Sequence, residues 1–214
     1  MGWLLIPLCW LDKSAVNLVL KTDTENSART GSLLNQVWTS LRCQVEIQHK
    51  ATKKMEQTTS FKITGLPLDA VTSLFELSDE ALVERRAQRC IVDNNPGYPC
   101  RVSLRDAEVG EEVILLPFEH QSVDGPYRSL GPIFVRVDAE EVNLKVNEIP
   151  VMLRHRLLSV RGYDETDMMC ATRVAEGHEL DAVILALFAD EKIKYLHVHN
   201  AGPGCFNCRV DRVS

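Results

Sequence analysis

A chain of 214 residues, 45% hydrophobic and 25% charged, has the makeup of an ordinary globular protein. Its net charge of −6 argues against a protein that grips nucleic acid by neutralising phosphates. No segment offers the roughly 18 apolar residues that a membrane-spanning helix needs, and seven cysteines without regular spacing suggest reduced thiols rather than a disulfide framework.

The first eleven residues, MGWLLIPLCWL, are apolar but lack a basic lead, and Asp12 and Lys13 end the run. They are not read as a secretory leader, so the expected location is cytoplasmic. Composition then breaks near residue 54. All three tryptophans (Trp3, Trp10, Trp38) and only one of the nine prolines lie before it. That segment holds seven Lys and Arg against four Asp and Glu, a charge of +3, which leaves −9 for the rest. It shows no sustained helical or alternating period. Residues 1–54 therefore read as an extension outside the functional domain, either an over-long start with Met55 as the natural one or a poorly ordered arm. Residues 55–214 read as a single domain.

Phe61–Thr64 predicts a strand, and Gly65 with Pro67 a turn. LDAVTSLFEL has apolar residues at helical spacing and predicts a short helix. Ser78, followed by Asp79 and Glu80, predicts an N-cap and a helix running toward Arg86. Cys90–Val92 reads as extended. NNPGYP turns the chain toward Cys100. RVSLRDA and VILLPF then predict an antiparallel pair joined by EVGEE. EHQSVDGPYRSLGP reads as one long polar loop, of the kind that carries function, and PIFVRV as the next strand.

LLSVRGY and MMCATRVA predict a hairpin across YDETD. Gly177 opens the clearest helix, HELDAVILALFADE, with Leu180, Val183, Ile184, Leu187 and Phe188 on its apolar face. KYLHVHN and FNCRVDRV are the last two strands. Strands with irregularly interspersed helices suggest an α+β fold, a mostly antiparallel sheet with helices packed on one face.

Taken together, NPGYPCRVSLRDAEVGEEVILLPFEHQ, PYRSLGPIFVR, VRGYD and HVHNAGPGCFNCRVDR resemble a bacterial family known only as domain of unknown function 1203. The resemblance runs from about Phe61 to Arg212. It implies no established activity, substrate or cofactor. It does single out Pro99, Cys100, Arg101, His120, Pro126, Tyr127, Gly131, Pro132, Arg161, Tyr163, His199, Gly204, Cys205 and Arg212. Members of about the length counted from Met55 accord with the later start.

The stretch HVHNAGPGCFNCRVDRV carries three competing chemistries. His197 and His199 return to the same face of a strand, so with Cys205 and Cys208 they could form a tetrahedral metal site. Against that stands an ordinary edge strand whose polar face carries both rings. Cys205 and Cys208 have the spacing of a redox dithiol, but the strand-like sequence around them offers no helix N-terminus to activate a thiol. In the third reading, Cys100 and Cys205, each just past a Pro/Gly corner and ahead of an arginine, meet at one end of the sheet. Arg101, Tyr127, Arg161, Tyr163 and Arg212 would then line a pocket for a small acidic ligand, because guanidinium binds carboxylate and phosphate in a bidentate manner. An enzyme variant adds Cys205 or Cys100 as nucleophile and His120 or His199 as base. Cys90 and Cys170 are read as small buried hydrophobes. The favoured reading is a small-ligand domain without a cofactor, without a nucleic-acid or membrane partner, and of unspecified oligomeric state.

Overall fold

The structure, a computed structural model, describes residues 59–213. The expectations for residues 1–54 lie outside it. Among the described residues, eight strands form two antiparallel sheets: β1 (Ser60–Thr64), β2 (Gln88–Ile91), β3 (Glu112–Gln121), β4 (Ser129–Arg136), β5 (Leu157–Tyr163), β6 (Met169–Glu176), β7 (Tyr195–Asn200) and β8 (Phe206–Val213). The larger sheet has the order β1-β8-β7-β5-β6 and the smaller the order β2-β3-β4. The fold is α+β, as the pattern of elements predicts, but with the strands shared between two sheets instead of one.

Each element follows from its local sequence. In β8, Cys208 and Val210 point to one face, where they join Leu196 and Val198 of β7 and Leu158 and Val160 of β5 in the main core. Helix α3 (Leu180–Phe188) covers this face with Leu180, Ile184, Leu187 and Phe188, the stripe its spacing predicts. Helix α1 (Asp79–Glu84) starts at Ser78, whose Oγ accepts the Ala81 N–H at 3.3 Å. Helix α2 (Val151–Arg154) is a single turn that adds Met152 and Leu153 to the core. No helix among the described residues is long and apolar enough to cross a membrane.

Three local expectations are corrected. LDAVTSLFEL forms two 3-10 turns, Leu68–Ala70 and Thr72–Leu74, instead of a continuous helix. The β-branched Val71 and Thr72 at its centre favour such a break, and Val71 sits at φ −130°, outside helical geometry. RVSLRDA forms a tight hook closed by a Pro99–Asp106 bridge, and β3 pairs instead with β2 and β4. The long polar loop is mostly strand, because β3 runs on to Gln121 and β4 begins at Ser129. Only residues 122–128 connect them.

Leu187 is buried against the larger sheet, so Leu187→Ala should lower unfolding free energy by about 2–5 kcal/mol. Chemical denaturation followed by circular dichroism measures it. A loss below about 0.5 kcal/mol would be a surface effect and would place that residue elsewhere.

Candidate functional site

The face of the larger sheet opposite α3 is neither a core nor a plain polar surface. Antiparallel partners share a face, so Arg161 of β5 stands beside His197 of β7, Tyr163 beside Tyr195, and Ser159 beside His199. Phe206 of β8 is paired with His199 and joins the same group. From the smaller sheet, β3 delivers His120 and Gln121. The His120 ring stacks on Phe206 at 5.0 Å between centroids and meets His199 edge-on at 5.1 Å. His197 lies 6.1 Å from each of the other two imidazoles. Three histidines from two sheets thus form one cluster, with Tyr163 and Tyr195 stacked beside it at 5.1 Å and Tyr127 edge-on to Tyr163.

Irregular strands bring further groups to this cluster. Between Phe118 and Gln121 the β3–β4 register shifts by one residue, so the strict alternation of sides fails there. Consecutive His120 and Gln121 can then both serve the cluster, with Gln121 donating to the Tyr195 hydroxyl at 2.7 Å. A second shift puts an extra residue, Asn207, into β8 beside His199. A third shift, between Gly162 and Tyr163, sets Cys170 out of register. Bulges of this kind re-aim side chains and occur preferentially beside functional sites.

The electrostatics are one-sided. His197 and His199 are 2% and 0% exposed. Burial, reinforced by the neighbouring imidazoles and by Arg161, holds His197 down at about 3 and His199 at about 4. His120 is also lowered, again mainly by burial. His197 and His199 are neutral at pH 7. Each of the three rings keeps one buried nitrogen without a partner among the described residues: Nδ1 of His120, Nδ1 of His197 and Nε2 of His199. Such groups are costly unless something meets them. Arg161 stands beside the Tyr163 hydroxyl and takes part in none of the ion pairs among the described residues. Arg209, by contrast, is occupied, paired with Asp211 and lying 3.8 Å over the Tyr195 ring.

Of the residues expected to bind ligand, Arg161, Tyr163 and Tyr127 come together here. Arg212 does not. It lies on the α3 side, 4.5 Å over the Phe188 ring, and donates to the carbonyls of Ile193 and Asp190. Its strand partner is Phe61, a core residue, so the pleat directs it away from the site. Arg101 is 1% exposed, and its Nε and Nη1 donate to the carbonyls of Phe206 and Pro99. It holds the backbone of Phe206, a member of the cluster.

The metal set of His197, His199, Cys205 and Cys208 is not assembled. Cys208 pairs with Val198 and points into the core, on the opposite face from both histidines. No group of three His, Cys, Asp or Glu among the described residues is arranged to hold a metal ion, and nearby Arg161 would repel a cation. Nor is β7 an edge strand. It is the centre of five, buried on both faces. Complete burial pushes the Cys208 thiol up to about 12, the reverse of redox activation. Cys100 is fully buried and its sulfur faces the Arg136 N–H at 3.4 Å, while His199 Nδ1 is engaged with the Gly204 carbonyl. No hydrogen bond joins a cysteine to a histidine among the described residues, which leaves the Cys/His nucleophile without its base. Cys170, expected inside, is exposed, and Cys90 is half-buried.

Sequence reasoning passed over Tyr195, Gln121 and Phe206. Tyr195 was within reach, since it precedes His197 by two in KYLHVHN and must share its face. Gln121 was not, because only the register shift aims it inward.

The model of a family described as a protein of unknown function, DUF1203, matches residues 97–212. No curated protein and no solved structure gives a match.

Two outcomes follow from this geometry. With the two buried imidazoles lowered when folded, the unfolded chain binds more protons below its ordinary histidine value near 6.5. Stability should therefore be level above about pH 6.5 and fall as pH drops toward the folded values of about 4 and 3. Denaturant midpoints across pH 4–8 measure this, and the slope should diminish in His197→Phe. An unchanged slope there would mean that His197 is not buried neutral. Native alkylation mapped by mass spectrometry should label Cys170 far ahead of Cys100 and Cys208. Cys205 reacting faster than Cys170 would restore a nucleophilic role.

Proposed function

The chain belongs to the DUF1203 family, and since that family is described as of unknown function, we propose from the site's own chemistry that the protein binds a small acidic molecule over the histidine face of its larger sheet. One observation carries the reading: Arg161 takes part in none of the ion pairs among the described residues and stands beside three imidazoles that each hold an unpartnered buried nitrogen. An anion supplies what this face lacks, namely negative charge for Arg161 and acceptors for ring N–H groups. A cation meets the opposite situation. Tyr127 and Tyr163 add flat apolar walls with hydroxyls at their ends, the usual composition of a site that orients a small organic acid.

Binding to the native state alone raises the thermal midpoint. A screen of glycolate, acetate, succinate and inorganic phosphate at millimolar concentration should give a dose-dependent rise for at least one of them. Arg161→Ala should weaken that binding by about tenfold or more, as loss of a charge-assisted hydrogen bond does. Arg173→Ala, on the exposed strand β6, should leave it unchanged. Absence of any shift, or an undiminished shift in Arg161→Ala, would overturn the reading.

A further inference from the structure

We propose that the ligand of this face carries a hydroxyl beside its anionic group, and that His199 Nε2 accepts the hydroxyl proton's hydrogen bond; the class is a small hydroxycarboxylate. The inference rests on the acidic-ligand reading and sharpens it.

Which His199 nitrogen bears hydrogen decides what the ring can accept. Nδ1 lies 2.9 Å from the Gly204 carbonyl, and a carbonyl can only accept. Nδ1 must therefore be the N–H. Gly204 holds this position at φ +78°, in the left-handed region that glycine enters without strain, within the turn between β7 and β8. The neutral ring then presents a bare lone pair at Nε2. That atom is buried, and no donor among the described residues meets it.

A simple carboxylate has only acceptor atoms and cannot satisfy Nε2. The ring could turn itself into a donor by taking a proton. Burial opposes that first, and Arg161, His120 and Arg101 add to it by acting against a positive charge there. Both needs are met by one molecule with an acceptor group for Arg161 and a donor for His199. The donor is better a hydroxyl than an ammonium, because the same arginines repel a cation. His197 retains an unpartnered Nδ1 with no carbonyl fixing its tautomer, so it can adapt to whatever oxygen remains.

Matched pairs isolate the hydroxyl. Calorimetric titration should give glycolate at least about tenfold tighter binding than acetate, and lactate likewise against propionate, since an analogue that leaves a buried acceptor unmet is rejected. His199→Phe keeps a flat ring but removes the acceptor, and should bring each pair to near parity. Should that variant fail to fold, His199→Gln retains a side-chain carbonyl and should keep a preference for the hydroxy acid. Equal binding within the pairs by the wild-type protein would overturn the hydroxyl inference while leaving the acidic-ligand reading intact. Phosphate binding with all four carboxylates silent would do the same. Silence from every anion would sink both.

Discussion

The buried guanidinium of Arg101 is the joint on which the candidate site depends. Its side chain donates to the carbonyls of Phe206, in the larger sheet, and Pro99. Its own N–H reaches the Phe134 carbonyl of β4, and its carbonyl accepts the Leu66 N–H just past β1. One residue thereby ties together the entry of β8, strand β4 and the exit of β1. Burial lowers the guanidinium to about 10, which still leaves it charged at neutral pH. A charged group in that position is tolerable only while its hydrogen bonds hold, and removing it strands both carbonyls. Close approach is part of the same joint. A Cβ on Gly65 would lie 2.5 Å from the Val102 carbonyl oxygen and 2.8 Å from that of Arg101, so only glycine lets β1 leave past this hook.

With the sheets fixed in this way, the pleat sorts the chemistry. One face of the larger sheet takes Leu158, Val160, Leu196, Val198, Cys208 and Val210 into the core. The other takes the histidines, Arg161 and the stacked tyrosines. The same alternation removes Cys208 and Arg212 from the site and admits Tyr195. His120 follows Leu116 and Phe118 onto the inward side of β3, and Gln121 joins it only because β3 breaks register before it. The cluster is thus assembled from non-local pieces, each placed by backbone pairing rather than by its neighbours in sequence.

This division explains what the sequence discloses. Periods of 2 and 3.6 made seven of the eight strands, the Ser78 cap and the buried stripe of α3 readable, since each depends on residues within one segment. Of the expected set of Arg101, Tyr127, Arg161, Tyr163 and Arg212, the middle three lie together, Tyr127 from a loop and the other two from the end of β5. Misplaced elements share a cause. RVSLRDA looks like a strand, yet its backbone is claimed by the hook that Arg101 organises, a contact spanning 105 positions to Phe206. Cys205 and Cys208 look like a pair at a distance of three, but the extra residue in β8 and the pleat turn Cys208 to the far face. No local pattern announces a bulge, and Gln121 and Phe206 reach the site through two of them.

The tautomer of His199 tests this account most directly, because it reports both the β7–β8 turn and the buried, uncharged state of the face. Nitrogen-15 spectra of the imidazoles in the wild-type protein at pH 7 should show His199 protonated at Nδ1 alone, with Nε2 at the shift of an unprotonated nitrogen. That state should persist to about pH 5, well below ordinary histidine titration. In Arg101→Met, where the joint between the sheets is cut, the ring should revert toward a mixture of tautomers titrating near 6.5. A wild-type His199 that already exchanges between tautomers and titrates near 6.5 would contradict the structure of the site and the chemistry built on it.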